Sequence, residues 1–154
     1  MSPPESRRPF HESRAASTST PTSLEPRVPW GWRPGPFDYQ RLDAFAVARQ
    51  ALARGDALAR ALPRGYASLA DQLRRALLSA YLGVAEAASR SGATLAARFR
   101  CARGEASEAA AALEAVALLR LAPIAEVDPI VGLLGRLCAM LTRLCLPASR
   151  RQLP

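Results

Sequence analysis

The sequence predicts an all-α protein: an antiparallel up-down-up-down four-helix bundle behind a disordered N-terminal tail. Three observations predict it. Four successive segments repeat apolar residues at spacings of three and four, the period of a helix with one buried face. Pro63 with Gly65, Ser91 with Gly92, and Pro123 separate those segments by a few residues each, and short connections make consecutive helices antiparallel neighbours. Eight of the 13 prolines fall in residues 1–36, among Ser, Thr and Arg, a composition that buries too little apolar surface to offset chain entropy. No alternating strand pattern competes. The expected divisions are a tail over 1–37 with an aromatic end, a bundle over 38–147 and a basic C-terminal tail over 148–154.

The first helix is expected from Asp38, a good N-cap, with Leu42, Phe45, Leu52 and Ala53 on its apolar face. Gly55 should weaken its last part, and Pro63 and Gly65 stop it. The second runs over about 67–89 with a stripe of Leu69, Leu73, Leu77, Ala80, Val84 and Ala87. After Ser91 and Gly92 the third carries Leu95, Phe99, Ala102, Ala106, Ala109, Leu113 and Val116, ending near Leu119 or Arg120. Its small residues permit close helix approach, and Gly104 reads as a close-packing position. Asp128 is expected to cap the fourth helix with Pro129 at its first position, where a missing N–H costs nothing. Ile130, Leu134, Leu137, Leu141 and Leu144 then form a heptad-like seam up to Pro147.

Composition limits the function. The chain has 154 residues, enough for one domain with a sizeable core. Its 21 basic residues are all arginine, against 13 acids, for a formal charge of +8. Lysine and asparagine are absent and alanine is abundant, which fits a GC-rich coding sequence and weakens arginine content as evidence for any ligand. The charge still favours association with nucleic acid or another anionic surface. Five arginines and three acids lie in residues 1–37 and the rest of both in 38–154, so the excess belongs to the bundle rather than to a basic tail.

The start of the chain lacks the apolar run of a secretory signal, so export is not expected. Residues 129–146 fall short of a membrane span and contain Arg136 and Arg143. Cys101, Cys138 and Cys145 show no C-x-x-C spacing. The last two are seven apart, about 10 Å along a helix and too far to bridge. They read as small core residues of a cytoplasmic protein.

Catalytic readings meet one obstacle. The only histidine is His11, in the tail, so neither a di-metal carboxylate site nor a nucleophile with a histidine base can form in the bundle. No Gly-rich phosphate loop is present. No catalytic residue, metal ligand or cofactor-binding residue is therefore expected, and the protein reads as non-enzymatic.

The charged residues divide into two groups. Asp71, Glu86 and Glu108 read as structural partners of arginines, with Arg74 or Arg75 reaching Glu108 or Glu86 across the second and third helices. The rival reading makes Arg74 and Arg75 phosphate ligands. Arg136, Arg143 and Arg150 recur every seven residues along one side of the fourth helix, if that helix continues past Pro147. Arg100 and Arg103 are one turn apart on the third. These five are the candidate nucleic-acid-binding residues, for RNA or DNA backbones; without aromatic stacking platforms in the bundle, recognition would be by charge or shape. Trp30 and Trp32 either pack on the bundle ahead of the first helix or dock a protein partner, which would make the protein an interaction scaffold.

Residues 71–79, Asp-Gln-Leu-Arg-Arg-Ala-Leu-Leu-Ser, followed by Gly83-Val84-Ala85-Glu86 and Arg90, resemble the pattern Q-L-R-R-A-x-x-S-I-P-x-N-I-A-E-G-x-x-R. That pattern belongs to the bacterial four-helix-bundle family of the 23S rRNA intervening-sequence proteins. Arg98-Phe99 through Glu108 resembles the family's R-F-L-x-x-A-x-G-S-x-x-E, and Pro63 matches a proline that commonly precedes the second helix. The likeness spans roughly residues 37–145. Tyr81 replaces the family's proline, Gly83 its asparagine, Ala87 its glycine and Glu105 its serine; without the proline the second helix should run straighter. The resemblance implies a bundle that assembles into a homo-oligomeric ring, a pentamer. In a related branch, the accessory variability proteins of diversity-generating retroelements, it implies binding of nucleic acid and of a reverse transcriptase.

Overall fold

The computed structural model describes residues 35–146. The expected disorder of the tail, the readings of Trp30 and Trp32, Arg150 and the C-terminal tail lie outside them. Within them the protein is an all-α four-helix bundle: α1 (Asp43–Ala61), α2 (Ala67–Ala88), α3 (Gly92–Leu118) and α4 (Ile124–Leu144). Each helix packs on its chain neighbours and α1 packs on α4, which leaves α1 with α3 and α2 with α4 as the diagonals across the core. Connections of three to five residues between helices about 30–40 Å long force the up-down-up-down order.

The core is apolar throughout. Leu73, Leu77 and Val84 of α2 meet Phe45 of α1, Phe99 and Leu113 of α3, and Leu134, Leu137 and Leu141 of α4, and no polar or charged side chain among the described residues is buried. Alanines fill the narrow places: Ala102, Ala106 and Ala109 are essentially solvent-free. The expected stripes of α2, α3 and α4 line this core. On α1 the buried set is Ala44, Phe45, Val47, Ala48, Ala51, Gly55, Leu58 and Ala59, whereas Ala53 faces solvent.

Both helix starts read from aspartates need correction. Asp38 opens a separate 3₁₀ turn, Asp38–Arg41, and α1 is entered through an extended Leu42. The turn is fixed by a Gln40 side chain that accepts the Phe37 N–H at 3.1 Å and by a ladder of rings, Phe37 on Tyr39, Tyr39 on Phe45 and Phe45 on Tyr81. In α4 the cap is Pro123, extended, whose carbonyl accepts from Glu126 and Val127. Pro129 is thus the sixth helical residue rather than the first. Starting a turn and a half earlier buries Val127 and puts Glu126 at the positive helix end. Both gains offset the hydrogen bond that Pro129 cannot donate.

Two glycine readings reverse. A Cβ on Gly55 would lie 2.3 Å from Leu77 Cδ1, so this glycine is what lets α1 approach α2. Gly104 has open space around it and packs against nothing. The close approach of α2 to α3 is instead at Gly83, where a Cβ would lie 3.0 Å from that of Ala102. Tyr81 leaves α2 continuous through the position where the resembling family has proline, and burial against Phe45 pushes its phenol pKa up.

Candidate nucleic-acid interface

Arg100 and Arg103 come from the first half of α3, and Arg136 and Arg143 from the second half of α4. The antiparallel packing of these neighbours brings both pairs to the same end of the bundle. Arg103 ties the helices together: its Nη1 donates to Thr142 Oγ1 at 3.1 Å, and Thr142 Oγ1 donates to the Cys138 carbonyl at 2.8 Å. Ser107 Oγ donates to the Arg103 carbonyl, and Cys138 Sγ lies 3.8 Å from it. Arg136 and Arg143, seven residues and about 20° apart on the helix, are both exposed, as is Arg100. Arg143 edges a shallow groove of about 390 Å³ with Arg41, Leu42 and Met140. Among the described residues, none of Arg100, Arg103, Arg136 and Arg143 has a carboxylate within salt-bridge distance.

The charge of the whole bundle follows the same division. Halving every helix at its midpoint puts Arg41, Arg49, Arg90, Arg98, Arg100, Arg103, Arg136 and Arg143 at one end with only Asp38, Asp43 and Glu86. The opposite end holds six arginines and seven acids, with Glu105, at the midpoint of α3, counted there. One end therefore carries +5 and the other −1. Helix dipoles do not make this difference, since each end joins two N-termini with two C-termini.

The residues read as structural ion pairs are placed differently from expectation. Arg74 does not cross to α3; its Nε donates to Asp56 Oδ1 of α1 at 2.8 Å, while Arg60 Nε donates to Asp56 Oδ2 at 2.7 Å. Asp71 is loosely set 3.9 Å from Arg74. Arg75 lies 3.9 Å from Glu108, with Gln72 hydrogen-bonded to both. That cluster is solvent-exposed rather than partly buried, because Arg75 and Glu108 sit on the outer rims of α2 and α3. Glu86 receives Arg90 and Arg98. The side-chain hydrogen bonds from Arg60, then Arg74, hold the Asp56 carboxyl below its usual pKa, and those from Arg90, then Arg98, do the same for Glu86.

Sequence reasoning missed Asp56. Its signal was available in the i, i+4 spacing to Arg60 on a helix whose neighbour carries arginines in its first half. The cysteines also need correction, since Cys101 is exposed and Cys138 and Cys145 are half-buried; all three are free thiols. Among the described residues no three His, Cys, Asp or Glu side chains cluster as a metal site would need, and no helix is long and apolar enough to cross a membrane.

The two stretches that resemble the intervening-sequence family face each other. Glu86 of the first holds Arg98 of the second, Gln72 and Arg75 of the first hold Glu108 of the second, and Gly83 packs on Ala102 between them. No protein-family model and no curated protein matches the chain.

Proposed function

We propose that this is a non-enzymatic, self-associating helical-bundle protein that binds the sugar-phosphate backbone of RNA or DNA without sequence specificity, through its basic end. The observation that carries the reading is the contrast in pairing. At the weakly charged end Arg60, Arg74 and Arg75 lie against carboxylates. At the basic end Arg90 and Arg98 share Glu86, but Arg100, Arg103, Arg136 and Arg143 have no carboxylate within salt-bridge distance, so their charge is available to phosphate, and backbone neutralisation with counterion release is the dominant source of non-specific affinity. Four guanidiniums spread over two helices give no set of donors arranged to read base edges, hence the absence of sequence preference.

Membership of the intervening-sequence family belongs to the same proposal. It is supported by the α2 and α3 stretches and by their pairing with each other, which gives the motif residues a role in holding two helices in register. On this reading Gln72, Arg75, Glu86, Arg98 and Glu108 are scaffold, and nucleic acid meets other arginines.

The test replaces Arg136 and Arg143 with glutamine and titrates labelled duplex RNA and DNA at two salt concentrations. Both positions are exposed, so the fold should hold to within about 0.5 kcal/mol. Affinity should fall, and the salt slope should flatten by about one unit for each phosphate no longer neutralised. Absence of salt-sensitive binding by the parent protein would reject the reading and leave the scaffold function through Trp30 and Trp32.

A further inference from the structure

Where α1 begins and α4 ends, the surface of the basic end falls into the shallow groove of about 390 Å³ edged by Arg143. Its origin is local. α1 starts at Asp43, behind the extended Leu42, and α4 stops at Leu144, so only the last turns of the two helices line the groove. Ala44, the buried α1 residue beside it, is too small to fill it. The floor is aliphatic, with Leu42, Met140 and Leu144 half-buried against the core. Arg41 lines it from the 3₁₀ turn and Arg143 from α4, and both are exposed. Among the described residues neither guanidinium has a carboxylate within salt-bridge distance, although Asp43 lines the same groove.

We infer that this groove takes an unpaired base of a single-stranded nucleic acid, with the flanking phosphates on Arg41 and Arg143. The inference rests on the backbone binding proposed above and adds a substrate class to it. The charges sort the two parts of a nucleotide. Asp43 opposes a phosphate inside the groove, while the two guanidiniums at its rim attract one outside. What is left for the interior is the uncharged, flat base, whose faces cover Leu42, Met140 and Leu144 at the expense of water. In a duplex the bases are stacked and paired, so only a strand whose bases are free to turn out can supply one. An aliphatic floor makes no directional bonds to base edges, in keeping with the absence of sequence preference. Arg41 thereby joins the phosphate-binding arginines, from an element outside α3 and α4.

The test titrates the full chain with three labelled ligands of about ten nucleotides: a single strand, the same strand made abasic, and a duplex. The abasic strand keeps every phosphate and loses every base. The normal strand should bind about tenfold tighter than the abasic one, with the same salt slope because the phosphates are the same. It should also bind tighter than the duplex, which carries the denser charge and would win on charge alone. Met140→Gln with Leu144→Gln should bring the normal strand down to the abasic affinity without altering the slope, whereas Arg41→Gln should weaken both strands and flatten the slope by about one unit. The abasic comparison is made on the parent protein, so it stands whether or not the floor variant folds. Equal affinity for normal and abasic strands, or a tighter duplex, would overturn the inference and leave backbone binding in place. Equality is the outcome if the chain's own residues 147–154, which follow α4, or a second copy fill the groove. Loss of salt-sensitive binding to all three ligands would reject both readings.

Discussion

The two ends of the bundle share one core and differ in nearly everything else. The basic end carries Arg100, Arg103, Arg136 and Arg143 on regular stretches of α3 and α4, and its irregular backbone is the 3₁₀ turn before α1 and Gly92, left-handed at φ 57°, at the start of α3. The weakly charged end has irregularities of its own: Gly55 within α1, Pro129 inside α4 and Arg120 in the left-handed region at φ 56°. It also exposes Leu118, Leu119 and Ile124 around the α3–α4 turn. The difference teaches that helix regularity and charge are separable here. A bundle needs only its stripe to fold, so the basic residues are not explained by packing, while the defects at the other end are tolerated because the shared core over-determines the helices.

That contrast can be broken at named positions, from large effects to small. Pro129→Ala should stabilise the protein by about 1–3 kcal/mol, since it restores a helix hydrogen bond and removes the clash with the carbonyl four residues earlier; denaturant unfolding reads this directly. No change would mean that α4 is already relaxed around the ring. Gly55→Ala should destabilise by about 1–2 kcal/mol despite better helix propensity, because its Cβ would strike Leu77, a core residue with little room to yield. Gly104→Ala should do the opposite, stabilising by up to about 1 kcal/mol. The pair separates packing from propensity at positions that both look like helix breakers.

Arg120→Gly should stabilise by up to about 1 kcal/mol. Leu121 N–H reaches the Val116 carbonyl and Arg120 N–H that of Ala117, both at 3.0 Å, a complete Schellman closure with arginine where glycine is favoured. Glu108→Ala should cost less than about 1 kcal/mol, as expected of an exposed pair.

Acid affects both ends. Asp56 and Glu86 have folded pKa values held below their unfolded ones by arginine hydrogen bonds. Their contribution is therefore complete above the ordinary carboxylate range near pH 4–4.5 and is lost as pH falls through the lower folded values. Melting temperature should drop over that interval, and Asp56→Asn should shrink the drop. An unaltered pH profile in the variant would show that the Asp56 cluster is not formed in solution.

The sequence read well where one physical signal dominated. The apolar spacings of α2, α3 and α4 located three of the core stripes, because burial in a bundle is periodic. It read poorly where two signals competed for one residue. Asp38 and Asp128 look like caps in isolation, and the larger burial available from Leu42 and Val127 decided the helix starts instead. Gly55 and Gly104 are indistinguishable to propensity; only the distance to a neighbouring helix separates them. The partners of Arg74 depended on which helix lies beside which face of α2, and in a square bundle both neighbours of α2 offer acids.

Whether nucleic acid meets one end only is tested most directly by comparing two charge-matched variants in salt titrations against the same RNA. One has Arg100, Arg103, Arg136 and Arg143 all replaced by glutamine, and the other Arg60, Arg64, Arg74 and Arg120. The first set is predicted to flatten the salt dependence by about one unit for each phosphate no longer neutralised, while the second leaves the slope close to that of the parent. Equal losses from both sets would mean that net charge alone governs binding, and would contradict a site confined to the basic end.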